Sequence, residues 1–549
     1  MKLFAFLLKS NASSLRWAVL VSIISGVSST GLIAMVHHIW EGELFGSMPW
    51  AWTFMGVIVL AVGSGVIGQV MVLDLAFRAV VDLRMELSGR ILATPLRRLE
   101  ELGAPRLYAT LTEDVNTLAR VLPAIPRVII DLTTLVAGVA YMAWLSWKAF
   151  IIVVIFGVIG VLVHKVILHR AMTHLREGRD VFDRVFHSFR ALHDGVKQLK
   201  LNRQRRTTFM RDEMKSGLDR LRVVALAGRT LLIGAESTTR LLFFVVLGVL
   251  IFVVPAITNA DSNPEALTKL TGYIIMSVYL YRPMGTLMAV VPEMGNALVA
   301  LQKIEDIGLA PQSRVESVED STDPLEWETL ELVGGKFSFT GGEDDTQFTV
   351  GPIDLTFKPG EILFVIGGNG SGKTTLAKVI TSLYPLEEGE LRLDGTAINE
   401  DNKDRFRELF SVVFFDFHLF QNLMGDGSGN LDEQAGVYLR ELRLDGKVSV
   451  EDGRLSTVEL SQGQRRRLAL LGAYLEDRPF YVFDEWAADQ DPEFREVFYT
   501  KILPDLKERG KTVFVITHDD RYLRYADRCL KLKDGQVSHE TVSGVESNE

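Results

Sequence analysis

At 549 residues the chain exceeds what one hydrophobic core organises, so at least two domains are expected. Hydrophobic residues make up 48% of it and mean hydropathy is +0.18, too apolar for an ordinary soluble protein, with the excess in the N-terminal part. A net charge of −10 argues against nucleic acid as a partner, and the single cysteine, Cys529, excludes an intrachain disulfide.

The opening segment from Lys2 to Lys9 is too short for a signal h-region and reads as an interfacial lead-in to a retained helix. Beyond it, apolar runs long enough to cross roughly 30 Å of hydrocarbon occur at 16–39, 50–76, 126–147, 149–171, 230–256 and 268–297. The connecting segments sort by charge. Neither 40–49 nor 257–267 holds a Lys or Arg, and the third outer turn, near Lys148, is very short. Between the second and third runs lie Arg78, Arg84, Arg90, Arg97, Arg98, Arg106 and Arg120. Between the fourth and fifth lie Lys197, Lys200, Arg203, Arg205 and Arg206. The excess of positive charge on cytoplasmic loops puts both long segments, and both termini, in the cytoplasm. Their helical apolar spacing predicts that spans two to five continue below the membrane. Bends are expected near Gly103-Ala104-Pro105 and His193-Asp194-Gly195, either as contacts to a cytoplasmic domain or as solvated hairpin turns.

The polar stretch from Gln312 to Glu326 reads as a linker. The resulting division is a transmembrane domain over 1–310, a linker over 311–327 and a nucleotide-binding domain over 328–549. In the last, Leu330–Phe339, Phe348–Phe357 and Glu361–Ile366 read as strands. Gly367-Gly368-Asn369-Gly370-Ser371-Gly372-Lys373-Thr374 follows the third of them and opens a helix, the strand–loop–helix setting of a P-loop. Its glycines let backbone N–H groups approach phosphate oxygens at a helix N-terminus. Lys373 is placed for the β and γ phosphates of ATP, and Thr374 for Mg²⁺. Phe480-Tyr481-Val482-Phe483-Asp484 reads as a buried strand ending in a metal-holding carboxylate, and Glu485 is placed to accept a proton from attacking water.

Leu460-Ser461-Gln462-Gly463-Gln464, ahead of the Asp484-Glu485 pair, resembles the signature of ATP-binding-cassette (ABC) ATPases. With six spans before one such domain, the chain resembles a half-size ABC exporter. The expected fold class is an α-helical six-span transmembrane domain with long intracellular extensions, fused to an α/β P-loop nucleotide-binding domain. The resemblance implies that the two bends carry coupling helices. It implies that Ser461, Gly463 and Gln464 close over an ATP held by another domain, while Asn369, Gly370, Ser371, Gly372 and Thr375 join Gly367, Lys373 and Thr374 around their own. One signature per chain points to a second copy as partner, in a symmetric homodimer. His518 would be the switch histidine at the γ-phosphate and Asp491 the D-loop aspartate, within Ala-Ala-Asp-Gln-Asp instead of Ser-Ala-Leu-Asp. Phe339 would stack on adenine where the family has tyrosine, with core packing as the rival reading. Aligning Leu419-Phe420 with the family puts Phe415 at the Q-loop glutamine, and leaves Asp416 as a candidate metal ligand.

The strings Ile366–Lys373, Asp484–Pro492 and His518-Asp519-Asp520 are similar to those of the cyclic-peptide and siderophore exporter branch. That likeness implies ATP-driven export of an acylated peptide siderophore precursor of the pyoverdine (ferribactin) type, from cytoplasm to periplasm across the bacterial inner membrane. Exporters of lipids, drugs or microcin-like cyclic peptides share the same engine. In the spans, Glu236 and Arg240 stand one turn apart, as an ion pair would. Asp131, Tyr279, Tyr281 and Arg282 are candidates to line a polar cavity, and Pro283 is expected to kink span six.

Overall fold

The computed structural model describes residues 2–41, 47–255, 264–309, 326–340, 347–423 and 430–542. The linker reading falls almost wholly outside them. Two units emerge, one of Met1–Leu87 with Leu107–Gly308, the other of Ser88–Arg106 with Leu309–Glu549.

The first unit is helical because hydrocarbon offers a backbone no partner but itself. Among the described residues six helical stretches are long and apolar enough to cross a membrane. Helix Met48–Ala93 has 46 residues and Trp147–Asp194 has 48. At 1.5 Å per residue each is about 70 Å long, more than twice the hydrocarbon thickness, so most of each extension must lie in water. The sixth helix, Pro264–Asp306, continues through Pro283. Breaks fall beside both expected bends. Leu96–Leu102 ends at Gly103, and a short helix Val196–Leu201 starts after Gly195.

Small and hydroxyl-bearing residues bring the spans together, since apolar side chains gain little from leaving lipid. A Cβ on Gly26 would stand 2.8 Å from the Ile130 carbonyl oxygen, and one on Gly138 would meet Leu280 at 2.7 Å. Thr30 donates to the carbonyls of Gly26 (3.1 Å) and Thr134 (3.3 Å), and Ser25 to that of Ala61 (2.8 Å). Buried His37 bonds Tyr141 Oη at 2.8 Å and the Thr268 carbonyl at 2.9 Å, joining the first, third and sixth spans. Arg240 Nη2 lies 3.3 Å from Glu236 Oε1, the ion pair their spacing implies.

The second unit holds β1 (Leu330–Thr340), β2 (Gln347–Phe357), β3 (Ile362–Gly367), β4 (Glu388–Leu393), β5 (Thr396–Ala397), β6 (Phe410–Val413), β7 (Val450–Glu451), β8 (Arg454–Leu455), β9 (Phe480–Asp484), β10 (Thr512–Ile516), β11 (Arg528–Lys533) and β12 (Gln536–Val542). An antiparallel sheet runs β2-β1-β4-β5, and the main sheet runs β12-β11-β3-β10-β9-β6. Within the main sheet β11, β3, β10, β9 and β6 are parallel, and β12 closes one edge antiparallel. Strands β9 and β10 are buried at every residue, as continuous apolar runs inside a covered parallel sheet must be. Two apolar cores cover the sheet. One includes Leu376, Ile380, Phe480 and Phe514, the other Leu471, Phe483, Trp486 and Phe498.

Candidate functional site

The register places the site. Ile516 pairs with Asp484 and with Val365, so β3, β10 and β9 end side by side. Ligands of open α/β sheets gather beyond such carboxyl ends. The P-loop follows β3, His518 follows β10, and Asp484-Glu485 closes β9.

The loop turns through positive φ at Gly367 (156°), Gly370 (77°) and Gly372 (97°), and the helix Lys373–Ile380 begins at once. A Cβ at Gly367 would stand 2.3 Å from the Leu532 carbonyl oxygen, whereas Gly368 and Gly370 face open space. Asn369 at the tip is exposed, Thr375 partly so. Lys373 folds back to donate to the carbonyls of Gly367 and Gly368, both at 3.0 Å. Burial holds its pKa below the ordinary lysine value, against the pull of Glu485 and Asp484.

Thr374 Oγ1 donates to Asp484 Oδ2 at 3.0 Å. Asp484 is 1% exposed, and burial raises its pKa against that bond. Its Oδ1 and the Ser371 hydroxyl are buried without a hydrogen-bond partner among the described residues. A buried acceptor left open beside a threonine hydroxyl and a phosphate loop fits Mg²⁺ and a nucleotide. Glu485 sits at φ 49°, its N–H bonded to the Ile516 carbonyl at 3.1 Å. His518 Nε2 donates to Glu485 Oε1 at 3.0 Å.

The signature opens helix Gln462–Glu476, where Ser461 and Gln464 form a capping box. Ser461 itself is exposed. A Cβ on Gly463 would approach the Asp489 carbonyl oxygen to 2.8 Å, and Gln490 donates to the Gly463 carbonyl at 3.0 Å. Asp491 caps helix Pro492–Val497 through the Phe494 N–H at 2.9 Å, and that bond with the nearby Arg467 guanidinium keeps its carboxyl below the usual range. Phe339 is half-buried, its ring edge-on to Phe337 and Tyr384 at 5.0 and 5.8 Å. Asp416 is exposed. Phe415 lays its ring on Arg466, with 4.8 Å from the guanidinium carbon to the ring centre.

The residues that motif reading missed are charged side chains held between elements. Arg466 is buried at 1% exposure, although an Arg-Arg-Arg run reads as a solvated face. Arg467 caps the Phe494 ring at 3.8 Å and donates to Gln490 Oε1 at 2.9 Å. Helix Leu96–Leu102 belongs to this unit. Its Glu100 accepts from Lys378 Nζ at 2.8 Å and from the Tyr384 hydroxyl. Arg97 pairs with Glu387 at 3.0 Å and lies over the Phe337 ring at 5.2 Å. Lys378 is on the helix that leaves the P-loop, so Glu100 grips the back of the phosphate-binding element. Only its place beside the predicted bend hinted at this.

A phosphate cradle, a metal-ready carboxylate, a glutamate–histidine pair and a capped signature helix, beside six membrane-length helices, define an ATP-hydrolysing membrane transporter. The ABC transporter profile matches residues 350–488, and the ABC transporter transmembrane region matches residues 10–254. The chain is 34% identical over 541 residues to the ATP-binding protein SyrD of Pseudomonas syringae pv. syringae, covering 96% of this chain and 94% of that protein. It is 25% identical over 514 residues to the ATP-dependent lipid A-core flippase of Dechloromonas aromatica, covering 90% and 85%. It is 29% identical over 227 residues to the macrolide export ATP-binding/permease protein MacB of Photorhabdus laumondii, covering 39% and 35%. The chain therefore belongs to the ABC transporter family, as a multi-pass half-transporter exporter that hydrolyses ATP.

Proposed function

We propose that two copies of this chain form a homodimeric exporter of an acylated peptide siderophore precursor of the pyoverdine (ferribactin) type. It moves this cargo from cytoplasm to periplasm across the bacterial inner membrane, with the nucleotide-binding domains and all termini cytoplasmic. The observation that carries the dimer is the exposed, pre-capped signature at Ser461, present once per chain. A helix N-terminus of this kind suits an anion supplied from outside, and in the dimer that anion is the γ-phosphate of the partner's ATP.

In the reaction, the P-loop amides of Gly367 to Thr374 and the Lys373 ammonium hold the β and γ phosphates. Glu485 orients water in line with the γ-phosphorus and takes its proton, and His518 holds the Glu485 carboxylate in place and faces the phosphate. Thr374 and Asp484, with Asp416 alongside, would hold Mg²⁺, which when bound neutralises charge on the phosphates. Asp491 and Phe339 complete the site, at the dimer face and under the adenine.

The cargo reading rests on the Asp484–Pro492 string and on polar side chains in the spans. Asp131 has Thr286, Arg127 and Arg282 as neighbours, Tyr279 lies near Ser29 and Asp131, and Tyr281 lies near Arg240. Asp131 lies 14 residues inside Leu145 and Arg282 lies 18 inside Pro264. At 1.5 Å per residue Asp131 is about 21 Å from the outer end of its helix and Arg282 about 27 Å from the outer end of its own, so both lie within the spans, where uncompensated charge is costly. The 25% identity to a lipid A-core flippase over most of the chain favours a lipid as the second reading.

Proteoliposomes test the proposal. An acylated linear peptide precursor should stimulate ATPase activity and accumulate inside inverted vesicles, whereas lipid A or a macrolide should not; the reverse pattern would transfer the chain to the lipid or drug exporters. E485Q should occlude ATP in a closed dimer with turnover reduced at least about 100-fold, and near-normal hydrolysis would remove Glu485 as the base.

A further inference from the structure

We propose that Arg466 is a positioning residue that holds the backbone turn carrying Glu485, and that Phe415 seats it there. Arg466 leaves the second turn of the signature helix and runs inward, 1% exposed. Its Nη1 donates to the Glu485 carbonyl and, at 3.2 Å, to the Trp486 carbonyl. Its Nη2 lies 2.9 Å from Asp489 Oδ2. The Trp486 indole N–H returns a bond to the Arg466 carbonyl at 2.9 Å. The two acceptors of Nη1 and the ion-pair partner of Nη2 thus all belong to the turn from Glu485 to Asp489, while Nε and Nη2 make no hydrogen bond among the described residues.

That turn needs a holder. Glu485 is left-handed at φ 49°, a conformation that a residue with a Cβ keeps only where its surroundings impose it. Its N–H is held by the Ile516 carbonyl, and its own carbonyl by Arg466. With both peptide groups pinned, the side chain projects toward His518. A planar guanidinium presents its donors in a fixed, spread fork toward two successive carbonyls and a carboxylate, a geometry that a single ammonium nitrogen reproduces only in part.

The Phe415 ring lies on this guanidinium at 4.8 Å, and the Phe415 backbone stands near the Asp484 carboxylate. One residue therefore has its backbone near the metal-ready carboxylate and its ring on the Glu485 holder. Where a glutamine would reach toward the nucleotide, this chain lays a ring on the support of its base. The Phe415 segment, the signature helix and the Glu485 turn are joined inside one chain.

The inference rests on Glu485 being the base, so the test separates the two. The full-length protein in liposomes would be assayed for multiple-turnover and single-turnover ATP hydrolysis, fluorescent-nucleotide affinity and thermal midpoint. R466M should lower kcat about ten-fold or more, because small displacements of a catalytic group are costly, with ATP affinity within about two-fold. R466K should recover part of that loss, and F415A should lose about three-fold in kcat. In single turnovers, R466M added to E485Q should cost less than about two-fold further, as for two groups acting in one step. Wild-type kcat in R466M, or an equal loss in both backgrounds, would overturn the proposal. If R466M fails to fold, R466K and F415A decide: lowered kcat at unchanged affinity supports it, and wild-type kcat in both overturns it. Normal turnover in E485Q removes the base reading and this inference together, whereas an inactive E485Q beside a fully active R466M removes this inference alone.

Discussion

Replacing Glu100 with alanine removes the acceptor that ties helix Leu96–Leu102 to the helix leaving the P-loop. Two donors lose it, Lys378 at 2.8 Å and the Tyr384 hydroxyl. Burial, together with this carboxylate, pushes the Tyr384 pKa up to about 12, so the hydroxyl stays protonated throughout the working range and without Glu100 loses its acceptor, keeping Lys378 only as a donor to its oxygen at 3.3 Å. A hydrogen bond to a charged group contributes about 1.5–3 kcal/mol. The Glu100 side chain is 41% exposed while that of Lys378 is 14% exposed, so solvent screening reduces the pair to about 1 kcal/mol. Stranding a largely buried ammonium adds a similar amount, for a total near 2 kcal/mol. For a nucleotide-binding domain of this size that lowers the unfolding midpoint by about 4–8 °C. The measurement is a double-mutant cycle of E100A, K378M and the pair, read by thermal unfolding of the full-length protein. About 1 kcal/mol of the two losses should fail to add. Since Glu100 lies on the segment that leads from the second span, cargo moved per ATP should fall further than ATP turnover. Strict additivity, or an unchanged midpoint with an unchanged transport-to-ATP ratio, would refute the assignment.

Two further predictions concern the metal. If Asp416 takes over part of the role of the missing glutamine, D416A lowers ATP turnover several-fold and raises the Mg²⁺ needed for half-maximal rate; unchanged turnover with a normal Mg²⁺ response would sink that role. Burial raises the pKa of Asp484 above its ordinary 3.8, so on acidification this carboxylate takes up a proton at higher pH than a free aspartate would. Its ionised form costs folding stability above the ordinary value and is the form that would hold Mg²⁺ in the proposed site, so apparent Mg²⁺ affinity should fall as pH drops toward that raised pKa. D484N should abolish this pH dependence along with the tight site, as isothermal titration at several pH values would record.

Much of the engine was legible because short-range rules write it. The glycines between β3 and a helix must let backbone N–H groups reach phosphate, with Gly367, Gly370 and Gly372 at positive φ, and the apolar run Phe480–Phe483 must be a covered strand. Long apolar runs had to become helices, because hydrocarbon satisfies no backbone. The breaks at Gly103 and Gly195 were visible for the same local reason. The continuation of the sixth span through Pro283 was less so, since how a helix accommodates proline depends on what packs around it.

Charged residues at the junctions were not legible. Arg465, Arg466 and Arg467 look alike in a string, yet only Arg466 is sealed among the carbonyls of Glu485 and Trp486 under the Phe415 ring. Glu100 reads as one carboxylate in a basic segment, and its grip on Lys378 and Tyr384 spans nearly three hundred residues of chain. Local sequence by itself determined the transporter class, the six spans and the phosphate-binding loop, because each follows from patterns within a turn, a strand or a helix. Which cations support the catalytic turn, and which carboxylate holds the P-loop helix, was decided only by the tertiary structure. Burial and pairing depend on what the fold brings together, and no periodicity along the chain encodes that.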